Sequence, residues 1–489
     1  MSMNIEIIKA FVNYLIENSI NYPIALVGSA VNKLKYNDLD YLMVVDNIEL
    51  VKNNICKLFN KYDVSICDDA IKIDNYLDIK ISIALYEKEK VNQIVDDYIT
   101  GKPSVLTHRA WCLGYWLPES FIINIQNMII LNDQEQYLDK IKIRSKKDSI
   151  YARHTIVREC LNEITLKYEL LKKTSIASLE HNFYKNDIIL AIIRGITTIK
   201  GNLLVSYKTI DKLIETLDYQ ELNEFIEMQS ENAINSIIKS FDNYINWSNN
   251  IYLGTWQYSG DFKPLTEQEI IDLIKYAKEN GIHKFDTALV YGAGKVEKIL
   301  GDSLDENDII LTKIPAKVKP NLNSIESLEH YYDYNYILDC IRKSCRNLKR
   351  NYVDICLLHN WVLNWNNNPQ IIKYLEKLKE SGYVKRIGIS LPNSFENELS
   401  DEVLSVIDVI EAPLNSENKW ILTSISKYKK YGIEIILRSL FLQGKEKNHS
   451  KYPNILTDAA NLNTSLVVGM TTNKQIDENI EIIKGCKYE

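Results

Sequence analysis

The sequence predicts an α/β chain of several domains: an N-terminal α+β unit, a helical companion region, and a C-terminal (β/α)8 TIM barrel. Three observations carry this. From about residue 250 onward, strand-length apolar runs alternate in order with runs of helical period. Several of those strand runs end in a chemically active side chain, which is where such a barrel gathers its chemistry. The first hundred residues read instead as strand, turn and strand, and the next stretch is helical with few Gly or Pro. At 489 residues, two or three domains are expected. The boundaries fall at 1–100, 101–248 and 249–489, with the polar Ser248-Asn249-Asn250 as the joint.

Taken in order, Ile8, Phe11, Val12 and Leu15 stand at helical spacing and predict a first helix over 5–16, broken by Pro23. The run 24–27 is a buried strand ending in Gly28-Ser29-Ala30. After a polar turn comes a second strand, 38–45, whose alternation puts Asp38 and Asp40 on one face and Leu39 and Tyr41 on the other. Neighbouring carboxylates repel, and a divalent cation between them relieves that repulsion. A third alternating run, 77–83, presents Asp78, Lys80 and Ser82 outward, and Asp74 just before it is a rival third acid. Helices are read at 122–131, 156–171, 188–199, 210–225 and 233–245, with Trp111 to Trp116 an aromatic segment before them.

In the C-terminal half, strands are read at 251–255, 282–285, 309–313, 353–359, 385–390, 406–411, 433–437 and 466–468. Helices are read at 267–280, 296–303, 337–348, 371–381, 421–431 and 474–483. The second strand run is followed by Asp286-Thr287-Ala288-Leu289-Val290-Tyr291-Gly292; the third ends in Lys313 and the fourth in His359. An acid, a phenol, a lysine and an imidazole at successive strand ends make a proton-donating site. A free tyrosine titrates near 10 and is a slow donor at neutral pH; a close ammonium lowers that value. Tyr291 is therefore read as general acid, Lys313 as its tuner, Asp286 as the partner of the lysine, and a neutral His359 as the group that orients a carbonyl.

Two resemblances follow from these residues. Leu253-Gly254-Thr255-Trp256, the Asp286–Gly292 stretch, Leu311-Thr312-Lys313, Tyr352 to His359, Ile387 to Ser390 and Gly469 with Glu478-Asn479 resemble the aldo-keto reductases in the order of that family. The resemblance implies NADPH bound without a Rossmann domain, and hydride transfer to a small-molecule aldehyde or ketone. It implies cofactor contacts from Thr255, Trp256, Ser390, Asn393, Glu411, Arg438, Ser439, Gly469, Thr471, Lys474, Gln475, Glu478 and Asn479. Lys474 would meet the 2′-phosphate. Two positions depart from the family: Leu391 stands where many relatives have Asn, and Glu411 where they commonly have Gln, with Asn393 or Asn415 as substitutes.

The second resemblance lies in Val27 to Asp40 together with Asp78, which is similar to the DNA polymerase β-like nucleotidyltransferases, above all their small-molecule members. It implies that Gly28 and Ser29 cradle the phosphates of a nucleoside triphosphate, ATP foremost. Asp38 and Asp40 would hold Mg2+, and Asp78 would share a metal or act as base toward a small-molecule acceptor. Glu159, Glu163, Arg153 and Arg194 are acceptor-binding candidates of the helical region. A bifunctional enzyme of sugar or specialised metabolism is thus expected. The alternatives are a transferase whose barrel only senses NADPH, and one that modifies a protein or tRNA.

Composition narrows the rest. A net charge of −7 leaves no basic surplus for phosphate backbones, which argues against nucleic acid. Eight scattered cysteines without CxxC pairs read as reduced cytoplasmic thiols. No basic-then-apolar leader and no run of membrane-spanning length is present, so a cytoplasmic protein with no membrane partner is expected.

Overall fold

The computed structural model describes residues 2–31, 38–67, 70–102, 119–203, 231–246, 250–260, 264–320, 326–442 and 452–484. Its chain divides into two compact units, 1–147 with 151–242, and 148–150 with 243–489.

In the first unit, β1 (Ile24–Val27), β2 (Asp38–Val45), β3 (Asp63–Cys67), β4 (Ala70–Tyr76), β5 (Ile79–Glu87) and β6 (Ile129–Asn132) form one sheet in the order β3-β4-β5-β2-β1-β6. Only β2 and β5 among these neighbours run parallel. The alternation in β2 does what it predicts. Leu39 and Tyr41 join the core with Ile81 and Ile83, under Phe11, Val12 and Leu15 of the helix Ser2–Glu17.

Two readings change here. The strand expected from residue 77 starts at Ile79, because Leu77 and Asp78 both take positive φ (50° and 64°) and form the two-residue turn between β4 and β5. Such a turn matches the right-handed twist of its strands, so it wins over the local strand pattern. The helix expected over 122–131 ends at Asn127, and Ile129 pairs with Leu26 so that β6 covers the edge of β1. The helices read at 156–171, 188–199 and 233–245 form and end where read, but start earlier, as Ile150–Leu171, Leu179–Ile199 and Glu231–Ile245. The 210–225 helix and the Trp111–Trp116 segment lie outside the described residues.

The second unit contains a closed parallel barrel of eight strands: β7 (Ile251–Gly254), β8 (Lys284–Asp286), β9 (Ile309–Ile314), β10 (Val353–Leu358), β11 (Val384–Ser390), β12 (Val409–Pro413), β13 (Glu434–Arg438) and β14 (Ser465–Gly469). β14 pairs with β7 to close it. A helix follows every strand, the first being Glu267–Glu279 and the last Asn473–Lys484. The run 406–411 is split: Val406 ends the helix Asp401–Val406, and β12 starts only at Val409.

Alternate strand residues face opposite ways. Leu253, Ile310, Cys356 and Ile410 pack outward under the helices, while Tyr252, Leu311, Ile355, Leu357, Val409 and Ile436 fill the barrel interior. At the starts of the strands, Glu434 accepts hydrogen bonds from Arg386 Nη1 (2.6 Å), Tyr252 (3.4 Å) and Ser465. A buried charge needs such partners. This layer closes the barrel below, so the open end is the one where the strands finish.

Candidate active site

Backbone register brings the four strand-end groups together. Asp286 ends β8, level with Leu311, and Lys313 lies two residues further along β9, so the two side chains converge on the same mouth. Asp286 Oδ1 accepts a hydrogen bond from Lys313 Nζ in a buried ion pair. Tyr291 follows in the loop after β8, with Lys313 Nζ 5.6 Å from its ring centre. The His359 ring stands edge-on to that of Tyr291, centres 6.1 Å apart and planes at 78°. All four line one cavity of about 1420 Å³.

Burial governs how these groups titrate. It pushes His359 down to about 3, helped by the charge of Lys313, so the imidazole is neutral as expected. It pushes Tyr291 up to about 12. Lys313 pulls the other way, as the sequence predicts, but Asp286 and Glu411 push with burial and the net direction is upward. The expected acidic tyrosine is therefore corrected to a firmly protonated one. Burial also raises Asp286, against Lys313 and Arg438, while Lys313 stays charged because Asp286 and Glu411 outweigh its own burial.

Glu411 is a larger presence than the sequence suggests. It ends up level with Ser390 on the neighbouring strand, fully buried, and accepts the Ser390 hydroxyl. Its other oxygen lies 3.3 Å from Lys313 Nζ, yet accepts no hydrogen bond. Burial raises Glu411, but Lys313 and Arg438 bring it below the usual glutamate range. Arg438 Nη1 donates to Asn393 Oδ1 (2.7 Å) and to Ser439 Oγ (2.8 Å).

The remaining expectations divide. Trp256, Ser390, Asn393, Glu411, Arg438, Ser439, Gly469, Thr471, Gln475, Glu478 and Asn479 all line the cavity. Thr255 does not. It is buried, and its hydroxyl donates to the Asp286 carbonyl (2.8 Å), tying two strand ends together. Lys474 also lies off the lining, exposed and 3.6 Å from Glu478 one helical turn on. Asn415 is spent on the Glu417 and Asn418 amides. Asn360, Trp361 and Lys319 line the cavity without having been singled out. Asn360 and Trp361 directly follow His359 in the sequence, which is the signal that would have found them. The donor set suits a nicotinamide dinucleotide: an orphan buried acceptor on Glu411 matches a carboxamide NH2, and hydroxyls and amides continue along the cavity to Asn479.

In the first unit, Gly28 takes φ +72°, and a Cβ there would meet Asp40 Oδ2 at 2.7 Å. Asp40 is raised to about 6 by burial and then by Asp38, with Ser82 and Lys72 opposing. So Gly28, Asp38 and Asp40 do meet at one corner; nothing is described of the Ser29 side chain. Asp78 sits in the turn before β5, and Asp74 is 3.6 Å from Lys80. Among the described residues no three Asp, Glu, His or Cys side chains come together to hold a metal. Two carboxylates do not make the set implied for Mg2+-dependent transfer. In the helical region Arg194 is bound by Glu119 and by Glu159 Oε2 (3.0 Å), so both of those acceptor candidates are occupied by each other. No helix among the described residues is long and apolar enough to cross a membrane.

Comparison with known proteins agrees with the barrel geometry. Residues 250–444 match the profile of the Aldo/keto reductase family. The uncharacterized oxidoreductase YqkF of Bacillus subtilis (strain 168) is 32% identical over 128 residues, 25% of this chain and 40% of that protein. The probable aldo-keto reductase 1 of Glycine max is 32% identical over 127 residues, 26% of this chain and 36% of the relative. The aldo-keto reductase YhdN of Bacillus subtilis is 27% identical over 188 residues, 37% and 54% respectively. The chain thus spans between about a third and about half of the length of these curated relatives. Among solved structures, it is similar to aldo-keto reductase AKR11C1 from Bacillus halodurans, at 17% identity, 49% of this chain, 88% of that one and a TM-score of 0.40. An aldo/keto reductase from Klebsiella pneumoniae in complex with NADP and acetate is 16% identical over 49% of this chain and 87% of its own, at a TM-score of 0.36.

Proposed function

We propose, from the premise that residues 250–444 are an aldo/keto reductase region, that the barrel reduces an aldehyde or ketone with NADPH. The observation that supports this is the meeting of Asp286, Tyr291, Lys313 and His359 in one cavity at the finishing ends of the strands. NADPH, when bound, supplies the hydride. Tyr291 gives its proton to the carbonyl oxygen as the new alcohol forms. The neutral His359 donates a hydrogen bond to the same oxygen and fixes its position. Lys313 stabilises the phenolate that Tyr291 becomes, and Asp286 keeps that ammonium in place. Trp256, Val290 and Trp361 supply apolar wall beside the reacting atoms, which excludes water and strengthens each of these interactions.

Tyr291→Phe removes the proton donor and little volume. Its kcat for NADPH oxidation with an aldehyde panel should fall about 10²- to 10⁴-fold, with NADPH affinity near that of the wild type. Full turnover in this variant would sink the assignment of Tyr291.

For the N-terminal unit we propose binding of a nucleoside triphosphate, and no transfer step. The close approach of Gly28 to a raised Asp40, beside Asp38, supports it. In a heating scan, ATP with Mg2+ should raise the transition of that unit, by about 2.7 kcal/mol at a hundredfold excess over Kd. NADPH should leave it unmoved, and Asp40→Asn should remove the ATP effect. A scan in which ATP with Mg2+ moves nothing would refute this reading.

A further inference from the structure

Lys313 faces two carboxylates rather than one. Asp286 is in direct contact with it from β8, and Glu411 stands 3.3 Å from Nζ on β12, three strands from β9 in the barrel order. Glu411 is in turn 3.6 Å from Arg438 Nε, and Ser390 donates to it. The charges facing Tyr291 are then Asp286 from β8, Lys313 from β9, Glu411 from β12 and Arg438 from β13. The His359 ring beside Tyr291 is neutral, with Lys319 among the charges that hold it so. Two cations and two anions surround the phenol, so once Asp286 is ionised the charges around Tyr291 balance. A phenol beside an uncompensated ammonium loses its proton more easily; one beside a compensated ammonium does not.

We propose that Glu411 is a positioning residue that cancels the acidifying effect of Lys313, keeps the proton on Tyr291, and so commits the site to carbonyl reduction over alcohol oxidation. The second half of this statement rests on the reductase reading; the first does not. In reduction, the Tyr291 O–H bond breaks and the new alcohol O–H bond forms while the hydride of NADPH passes to the carbonyl carbon, leaving NADP+. Alcohol oxidation is the reverse and needs Tyr291 as phenolate, ready to take the alcohol proton. Its rate therefore follows the ionised fraction of Tyr291. At the alkaline pH where Tyr291 ionises, both carboxylates are charged. Removing Glu411 then removes one full negative charge and leaves the ammonium opposed by Asp286 alone.

The test is a pH titration of the full-length protein carrying 13Cζ-tyrosine, followed by NMR, with the Tyr291 signal assigned by its loss in Tyr291→Phe. In the wild type the signal should keep its phenol position beyond the ordinary tyrosine midpoint of about 10. In Glu411→Gln it should move to lower pH by about one unit. Glu411→Asp, which keeps the charge, should follow the wild type. Where Glu411→Gln does not fold, Glu411→Met removes the same charge with a side chain of similar length and should give the same shift. An unmoved or upward midpoint without the charge overturns the proposal, as does an equal shift in Glu411→Asp. The titration needs no turnover. A wild type that oxidises no NADPH with any carbonyl would refute the reductase reading, while the charge-cancelling role is still decided by the NMR shift. In an active enzyme, alcohol oxidation by Glu411→Gln should reach half its plateau about one pH unit earlier than in the wild type.

Discussion

Burial acts at His359 and Tyr291 in opposite directions and to the same effect: each loses access to its charged form. With His359 titrating at about 3 and Tyr291 at about 12, neither changes charge across the neutral range. The kcat of reduction should accordingly be flat in both residues between about pH 5 and 9; a limb near 6.5 that disappears in His359→Gln would contradict the buried imidazole, while one that persists belongs to Asp286, which burial raises. Stability responds differently. The folded pKa of His359 lies below its unfolded value of about 6.5, so the unfolded chain binds the extra proton. The contribution is complete above 6.5 and is lost as pH falls toward 3. Asp286, raised by burial, pulls the other way over the same range, so the His359 share is read as a difference: between pH 7 and pH 5 the barrel transition of the wild type should fall relative to that of His359→Gln. Asp286, Lys313 and His359 were legible because each closes a short, largely apolar run of strand length, and Tyr291 because it lies in the loop after the first of them. Glu411 was legible as a departure but not as a charge partner, since Lys313 and Arg438 reach it from strands far apart in sequence. Thr255 and Lys474 lie one residue off the cavity lining, a distinction that sequence does not carry, because neighbours on and off the lining look alike in it.

At the scale of elements, period decided most of the fold and backbone conformation decided the rest. Strands 24–27 and 38–45 form as read, because unbroken apolar runs and clean alternation leave one solution. The turn at Leu77-Asp78 was hidden from pattern by Leu77, an apolar residue in step with the strand alternation that nonetheless takes a left-handed conformation, as Asp78 does more readily. Leucine is poorly suited to φ +50° and is here largely exposed. Leu77→Asn, a residue that accepts this conformation, should stabilise the N-terminal unit by about 1 kcal/mol, read as a higher denaturation midpoint. A lower midpoint would mean that the turn is not of this type. Gly388 shows the same limit in the barrel. A Cβ there would come within 2.0 Å of the Val409 carbonyl, a demand for closeness between β11 and β12 that no apolar pattern announces.

Over the whole molecule, two hydrophobic cores lie in separate compact units, which is why two ligand-specific unfolding transitions are expected rather than one. The barrel core also has a filled centre. Tyr252, Leu311, Ile355, Leu357, Val409 and Ile436 occupy the space beneath the cavity, and Arg386 with Glu434 seals the strand starts. Tyr291 therefore meets solvent from one side. In the proposed reduction, the proton that Tyr291 gives away has to be replaced through the same opening by which the alcohol departs. Recharging the acid and clearing the product become a single queue, and a more viscous solvent that holds back the second holds back the first with it.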